Sequence, residues 1–117
     1  MTVFIKSWGW EELLECTEHY VVKKIFMRAG HCCSLQYHQE KTESFFLVSG
    51  RMRFHYGDKV EILETEDLWP ASFRHIPVGM IHRMEALDED IVYLETSTPQ
   101  LDDVVRLADK YGRVPTP

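Results

Sequence analysis

The stretch Gln36-Tyr-His-Gln-Glu-Lys-Thr-Glu-Ser-Phe-Phe-Leu-Val-Ser-Gly50 joins a polar cluster directly to an apolar strand. Its second half is a continuous apolar run that ends at glycine, which is typical of a strand covered on both faces. Five side chains that can bind a metal or move a proton lie in its first half: Gln36, His38, Glu40, Lys41 and Glu43. We therefore expect a chemical site where this strand begins.

Strand geometry divides these polar residues between two faces. Residues two apart on a strand project to the same side, which groups Gln36 with His38 and Glu40. Glu43 has the opposite parity, so it joins them only if the chain turns or bulges before Ser44. Taken alone, His38 is typical of a solvated loop, and the two glutamates are typical of surface charges.

A second cluster, Pro77-Val-Gly-Met-Ile-His82-Arg83, follows further along the chain. Proline fixes φ and glycine tolerates a positive φ, so Pro77-Val78-Gly79 predicts a tight turn just before His82. A lone histidine on an apolar face is usually a hydrogen-bonded core residue. Two such clusters together predict one shared site, because imidazole and carboxylate groups hold divalent zinc, manganese, iron or nickel.

Length and composition favour one domain, which we expect to span residues 1–117. The chain is 44% apolar and 12% aromatic, so it can bury a core without staples. Its three cysteines, Cys16, Cys32 and Cys33, are odd in number and two are adjacent, which is a poor disulfide framework. They are expected to be reduced.

The charge pattern excludes some partners and predicts a location. The net charge is −6 and no basic tract is present, so we expect no nucleic-acid partner. No apolar run approaches the ~20 residues that a membrane span needs, so we expect no membrane partner. The N-terminus lacks the order of a signal peptide, which predicts a cytoplasmic protein.

Short strands separated by turns dominate the rest of the chain. Residues 51–56 alternate basic and apolar side chains, which indicates a half-buried strand. Gly57-Asp58 then predicts a hairpin turn. Seven to nine such strands indicate an all-β sandwich or small barrel. In residues 1–19, helix and strand interpretations compete.

The end of the chain changes character and predicts a short C-terminal helix. Thr98-Pro99 is typical of a helix cap followed by proline at the first helical position. Apolar residues then follow at helical spacing from Leu101 to Ala108. We expect this helix to cover about residues 99–111 and to end at Gly112.

The two polar clusters resemble the motifs of the cupin superfamily. Glu43, six residues and then Gly50 match the first motif, with His38 in its first histidine position. The second motif, Pro-x-Gly-x-x-His, is matched by the turn that ends at His82. Glu40 occupies the place of the second histidine, which is a departure from the pattern. The resemblance implies a double-stranded β-barrel, or jelly roll.

A narrower resemblance covers most of the chain. The sequence is similar to mannose-6-phosphate isomerase-like cupins, including the C-terminal domain of the bifunctional mannose-1-phosphate guanylyltransferase/phosphomannose isomerase enzymes. The residues that carry it are Trp8-Gly9, Tyr20-Val-Val-Lys23, Gly30, Ser34-Leu-Gln36-x-His38, Lys41-x-Glu43, Ser49-Gly50, His82-Arg83, Asp103-Val-Val-Arg106 and Tyr111-Gly112-Arg113. The resemblance implies that a divalent metal is held by Gln36, His38, Glu43 and His82.

The resemblance also implies a reaction, the aldose–ketose isomerisation of a sugar or sugar phosphate such as mannose 6-phosphate. Glu40 is the candidate base if it is not a ligand, and Lys41 is the candidate proton donor. Arg83 is a candidate for a substrate phosphate, although its strand parity favours a surface role. The alternatives are a non-catalytic metal- or sugar-binding cupin and a metal-dependent dioxygenase. A homodimer is also expected, with the Trp8-Gly9-Trp10 arm covering a sheet edge.

Overall fold

The computed structural model describes residues 2–111, which form two antiparallel sheets. The six-stranded sheet contains, in spatial order, β1 (Thr2–Lys6), β2 (Gly9–Cys16), β3 (Val21–Met27), β10 (Ile91–Ser97), β5 (Glu43–Ser49) and β8 (Phe73–Ile76). The five-stranded sheet contains β11 (Val105–Ala108), β4 (Leu35–Tyr37), β9 (Ile81–Ala86), β6 (Met52–Lys59) and β7 (Ile62–Leu68). Over the described range, no helix is long and apolar enough to cross a bilayer.

The core lies between the two sheets. Phe45 of β5 packs edge-on against Phe54 of β6, with 5.1 Å between the ring centroids, and against Tyr93 of β10 at 6.0 Å. These contacts join strands of both sheets, so truncating Phe45 to alanine would cost about 3–5 kcal/mol of stability. The predicted all-β class is confirmed, and the two sheets enclose the core as a double-stranded β-barrel.

The N-terminal residues, where helix and strand interpretations competed, form β1 and β2. Trp8, just before β2, is only 3% exposed and belongs to the protein's own core. Trp10 stacks on Phe26 of β3, with ring centroids 4.2 Å apart. Both indoles of the predicted arm are therefore used within the barrel, and β1 is left at the edge of the six-stranded sheet.

The predicted hairpin turn at Gly57-Asp58 is wrong, because both residues lie inside β6. The chain reverses at residues 60–61 instead. The register between β6 and β7 shifts after Tyr56, which marks a bulge. A Cβ at Gly57 would lie 2.8 Å from the backbone oxygen of Ile62, so this glycine permits a close approach of two strands rather than a turn.

The predicted C-terminal helix is also wrong. Val105–Ala108 forms strand β11, which pairs with β4 at the edge of the five-stranded sheet. Thr98 does not cap a helix: its backbone N–H donates to Thr42 O at 3.1 Å, and its hydroxyl accepts the Thr42 N–H at 3.2 Å. Long-range pairing with β4 outweighs the local helical spacing. Gly112, the predicted helix end, lies outside the described residues. Residues 2–111 contain eleven strands, above the predicted seven to nine.

Candidate metal centre

Three buried side chains from the two sequence clusters converge between the sheets. His38 follows β4, Glu43 begins β5 and His82 lies in β9. The Nε2 atoms of His38 and His82 lie 2.9 Å and 3.1 Å from Glu43 Oε1, respectively. All three residues are at most 4% exposed, and their ligand atoms lie within 4.8 Å of one another.

Local backbone features bring the two clusters together. The chain bends at residues 39–40, which carries Glu43 to the same side as His38 despite their opposite parity. Gly79 takes a φ of +85° in the predicted Pro-x-Gly turn, and its N–H donates to His38 O at 2.9 Å. Gln36 of β4 is paired in register with His82 of β9. The bend before Glu43 and the turn before His82 therefore bring the two sequence clusters close together.

Backbone carbonyls fix the orientation of both imidazole rings. His38 Nδ1 donates to Asp103 O, and His82 Nδ1 donates to Met80 O at 2.9 Å. His38 Nε2 is also hydrogen-bonded to Glu43 Oε1 at 2.9 Å, whereas His82 Nε2 faces the same oxygen without a hydrogen bond. Carbonyl partners of this kind are the usual supports of metal-binding histidines.

The donor atoms of the cluster fit a divalent cation. Glu43 Oε2 and His82 Nε2 are buried and have no hydrogen-bond partner among the described residues. Two imidazole nitrogens can approach one carboxylate oxygen favourably only if a proton or a cation lies between each nitrogen and that oxygen. Nitrogen and carboxylate oxygen donors suit zinc, manganese, iron and nickel. His38, Glu43 and His82 could therefore hold the metal.

Gln36 lies beside this triad but was assigned to the metal only through the family resemblance. Its side chain lines the same cavity as His38 and Glu43. Its Oε1 accepts a hydrogen bond from Ser34 Oγ at 2.9 Å, which holds the amide in place. An amide oxygen has two lone pairs, so Gln36 could serve as a fourth ligand while keeping this bond.

Lys41 and Glu40, the candidate catalytic residues, occupy different environments. Lys41 is 6% exposed and lines the cavity, with its Nζ 3.6 Å from Glu43 Oε2. Burial alone would raise the pKa of Glu43. Its contacts with the two histidines and the charge of Lys41 outweigh that effect, so the pKa of Glu43 lies well below its ordinary value. Glu40 is exposed, and its side chain is outside the cavity lining.

A single aspartate fastens the loop between β4 and β5. The carboxylate of Asp103 accepts backbone N–H bonds from Gln39 at 3.0 Å, Glu40 at 2.7 Å and Lys41 at 2.8 Å. These bonds lower the pKa of the Asp103 carboxyl. Asp103 also orients His38 through its carbonyl, so one residue of the C-terminal segment supports both the loop and a ligand.

His38 and Glu43 of the triad line a cavity of about 100 Å³ that is also lined by charged residues missed by the sequence analysis. These residues are Lys6, Glu11, Lys23, Glu95 and Arg106. Parity could have found Lys23 and Glu95, because each continues a buried face, after Val21 and Tyr93 respectively. Arg106 was missed because its segment was predicted to form a helix instead of strand β11. A larger open cleft of about 480 Å³ beside the β6–β7 hairpin contains none of the triad.

Two details of this environment bear on chemistry. Burial and the neighbouring charge of Glu43 raise the pKa of Glu95 well above its ordinary value. Arg83, the phosphate candidate from the sequence, donates from Nε to Cys33 O at 2.9 Å and from Nη2 to Ala108 O at 3.2 Å. Arg83 therefore fastens β11 to the barrel and is absent from the cavity lining.

Solved structures share this architecture. The capsular polysaccharide assembling protein CapF from Staphylococcus aureus superposes with a TM-score of 0.80 at 20% identity, over 92% of this chain and 34% of CapF. Oxalate decarboxylase OxdC from Bacillus subtilis superposes with a TM-score of 0.78 at 18% identity, over 92% of this chain and 30% of OxdC. These identities show the fold alone. A jelly roll with a His–Glu–His cluster between its sheets defines a cupin, as the sequence predicted.

Within the cupins, the chain belongs to the family of mannose-6-phosphate isomerase C-terminal domains, which matches residues 1–109. Mannose-1-phosphate guanylyltransferase ManC of Salmonella typhimurium is 32% identical over 114 residues, which are 93% of this chain and 22% of ManC. Xanthan biosynthesis protein XanB of Xanthomonas campestris is 31% identical over 112 residues, 92% of this chain and 23% of XanB. The chain thus spans less than a quarter of the length of these relatives.

Proposed function

We propose that this protein is a metal-dependent aldose–ketose isomerase for a sugar phosphate such as mannose 6-phosphate. The observation that carries the proposal is the buried triad, in which two Nε2 atoms face one carboxylate and of which His38 and Glu43 line a charged cavity. The family to which the chain belongs supports the same reaction and substrate class.

The residues would divide the work in the following way. His38, Glu43 and His82 would hold the cation, with Gln36 as the fourth ligand. When bound, the cation would supply Lewis acidity toward the carbonyl and hydroxyl oxygens of the sugar. Lys41 would place its ammonium beside the oxygen on which negative charge develops, because its side chain is buried and lines the cavity.

The base that moves the proton between C1 and C2 is assigned by position. The sequence favoured Glu40, which stays a prediction, but Glu95 is the carboxyl group that lines the cavity with Lys41. A base must reach the substrate proton directly or through one water. We therefore expect Glu95→Gln to lower kcat by at least about a hundredfold, and Glu40→Gln to lower it less. If Glu40→Gln lowered kcat more than Glu95→Gln, Glu40 would be the base.

The deciding experiment is the interconversion of mannose 6-phosphate and fructose 6-phosphate. The protein is stripped of metal, reloaded separately with zinc, manganese, ferrous iron or nickel, and incubated with each sugar phosphate in D2O. Isomerisation through an enediol would introduce deuterium at C1 or C2, which NMR detects even at slow turnover. His82→Ala serves as the control without the metal site. Absence of both interconversion and exchange with every metal would refute the isomerase proposal.

Two other outcomes would select the alternative functions. Oxygen uptake by the iron-loaded protein would favour a metal-dependent dioxygenase. Metal and sugar binding without exchange or oxygen uptake would favour a non-catalytic binding cupin.

The assembly and location expected from the sequence remain part of this proposal. A second copy of the chain could pair with β1, which lies at a sheet edge and exposes Val3, Phe4 and Ile5. A reducing cytoplasm suits the three cysteines, all of which are free.

A further inference from the structure

A row of side chains crosses the five-stranded sheet and leads from the triad to an arginine. Arg106 of β11 is paired in register with Gln36 of β4, and Gln36 is paired with His82 of β9. Residues paired directly across antiparallel strands project from the same face. Arg106 and His82 are therefore about 10 Å apart at their Cα atoms, two strand spacings, on the face that lines the cavity.

Two cations of this cavity, Arg106 and Lys6, make no ion pair with a carboxylate within residues 2–111, and Arg106 also has a buried donor atom without a partner. Lys23 lies 3.0 Å from Glu11, and Lys41 lies 3.6 Å from Glu43. Within residues 2–111, Arg106 makes no ion pair, and its Nε is buried without a hydrogen-bond partner. A buried donor left unpaired costs about 1–3 kcal/mol, and more when the group is charged. Such a donor calls for a ligand.

The balance of charge around the cavity also favours an anion. Four cationic side chains and three carboxylates line it: Lys6, Lys23, Lys41 and Arg106, with Glu11, Glu43 and Glu95. Two of the carboxylates are already paired with lysines. The planar guanidinium of arginine binds phosphate oxygens through two parallel hydrogen bonds, which a lysine cannot do.

We propose that Arg106 binds the phosphate group of the substrate and thereby selects phosphate monoesters over neutral sugars. This inference rests on the proposed function for the position of the sugar, whose C1 and C2 would lie near the triad. In a hexose 6-phosphate, the phosphate is at the opposite end of the carbon chain from C1. The strand row places Arg106 two strand spacings from His82, on the far side of Gln36, and assigns it the role that the sequence gave to Arg83.

Calorimetric titration tests the assignment without requiring turnover. Mannose 6-phosphate, inorganic phosphate, mannose and mannuronate are titrated into the full chain, both metal-loaded and stripped with EDTA. We expect mannose 6-phosphate to bind at least about tenfold more tightly than mannose, because mannose cannot form the charge-assisted pair with Arg106. Inorganic phosphate should compete with it. Equal binding of mannuronate and mannose 6-phosphate would overturn selection for phosphate.

The matched variants are Arg106→Gln, Arg106→Lys and Arg53→Gln. Arg53 is an exposed arginine of the same sheet, paired with Asp67 outside the cavity, so its variant removes equal charge. Arg106→Gln should weaken mannose 6-phosphate binding at least about tenfold while retaining metal content and Tm. Arg106→Lys should weaken mannose 6-phosphate binding several-fold, because a lysine cannot form the two parallel hydrogen bonds of a guanidinium. Arg53→Gln should bind as the original protein does.

The results separate this inference from the proposed function. If the original protein binds mannose 6-phosphate through Arg106 but does not isomerise it, the isomerase proposal fails and the anion site stands. If both Arg106 variants bind mannose 6-phosphate as tightly as the original protein, or no phosphate compound binds, the anion site is refuted whatever the turnover. Should Arg106→Gln fail to fold, the Arg106→Lys variant decides.

Discussion

The Nε2 atom of His82 distinguishes this centre from an ordinary buried histidine pair. A core histidine is expected to satisfy both of its ring nitrogens with hydrogen bonds. His38 does so, through Asp103 O and Glu43 Oε1, but His82 Nε2 approaches Glu43 at 3.1 Å without forming a hydrogen bond. Because imidazole and carboxylate groups bind a metal in their deprotonated forms, metal binding should weaken as the pH falls.

At the residue scale, we predict that His38→Ala and His82→Ala each lose the bound metal while the fold is retained. Each change removes one of three nitrogen or oxygen donors, and the remaining ligands cannot hold a cation against buffer chelation. Metal content after dialysis, measured by mass spectrometry, should fall to background. Circular dichroism should remain that of a β-protein.

The control for these variants is His19→Ala, because His19 is exposed and its side chain contacts only Glu18 at 3.3 Å. It should retain the metal content of the original protein. Full metal occupancy in both His38→Ala and His82→Ala would end the argument for a shared site.

At the scale of elements, the C-terminal segment stabilises the loop that carries the site. Three backbone N–H groups of this loop donate to the Asp103 carboxylate, which lowers its pKa below the ordinary value of 3.8. The unfolded chain therefore binds this proton more tightly than the folded one. The stabilisation is complete above the unfolded pKa and is lost as the pH falls through the folded pKa.

We accordingly predict that Asp103→Asn destabilises the protein at pH 7 and changes little once the pH is below the folded-state pKa of Asp103. Urea unfolding across this range should show the two proteins converging in stability as the pH falls. Asp102→Asn is the matched control, because Asp102 is its exposed neighbour. A constant difference between Asp103→Asn and the original protein at every pH would show that the carboxylate charge is not involved.

The exposed edge strand β1 leads to a prediction about assembly. Ile5 is 79% exposed on an unpaired edge, an arrangement that favours pairing with another strand. We predict that the protein is a dimer in light scattering and that Ile5→Asp makes it a monomer. Ile62→Asp, at a similarly exposed site (71%) on edge strand β7, should leave the dimer intact. Dissociation by the second variant alone would place the interface at β7.

At the scale of the whole molecule, metal binding should appear as stability. A ligand that binds only the folded state adds about 2.7 kcal/mol at a free concentration one hundred times its dissociation constant. For a domain of this size, that addition raises Tm by roughly 10 °C. Calorimetry with EDTA and with each metal should detect the rise, and His82→Ala should abolish it. If no metal changed Tm, the proposal of a metal centre would be contradicted.

The sequence predicted this architecture wherever local pattern and tertiary contacts agree. Alternation in β6, the apolar run of β5 and the Pro-x-Gly turn before His82 are local signals, and each forms the expected strand or turn. The prediction that β5 is covered on both faces is wrong, because Phe46 and Val48 are 41% and 45% exposed. Three of the four proposed ligands also converge. The segment that contains Arg106 could not be predicted, because its pairing with β4 is long-range while its spacing is helical. The charged cavity wall was missed because lysine and glutamate rarely occupy buried positions.

The carbonyl of Asp103 that orients His38 also sets an order of events during synthesis. The two residues are 65 positions apart, so the ribosome releases the histidine well before the group that fixes its ring. Chains arrested before Asp103 would therefore present the β4–β5 loop without the three backbone hydrogen bonds that hold it. Metal binding at the proposed centre would then be complete only after the segment that contains Asp103 has emerged and packed against this loop.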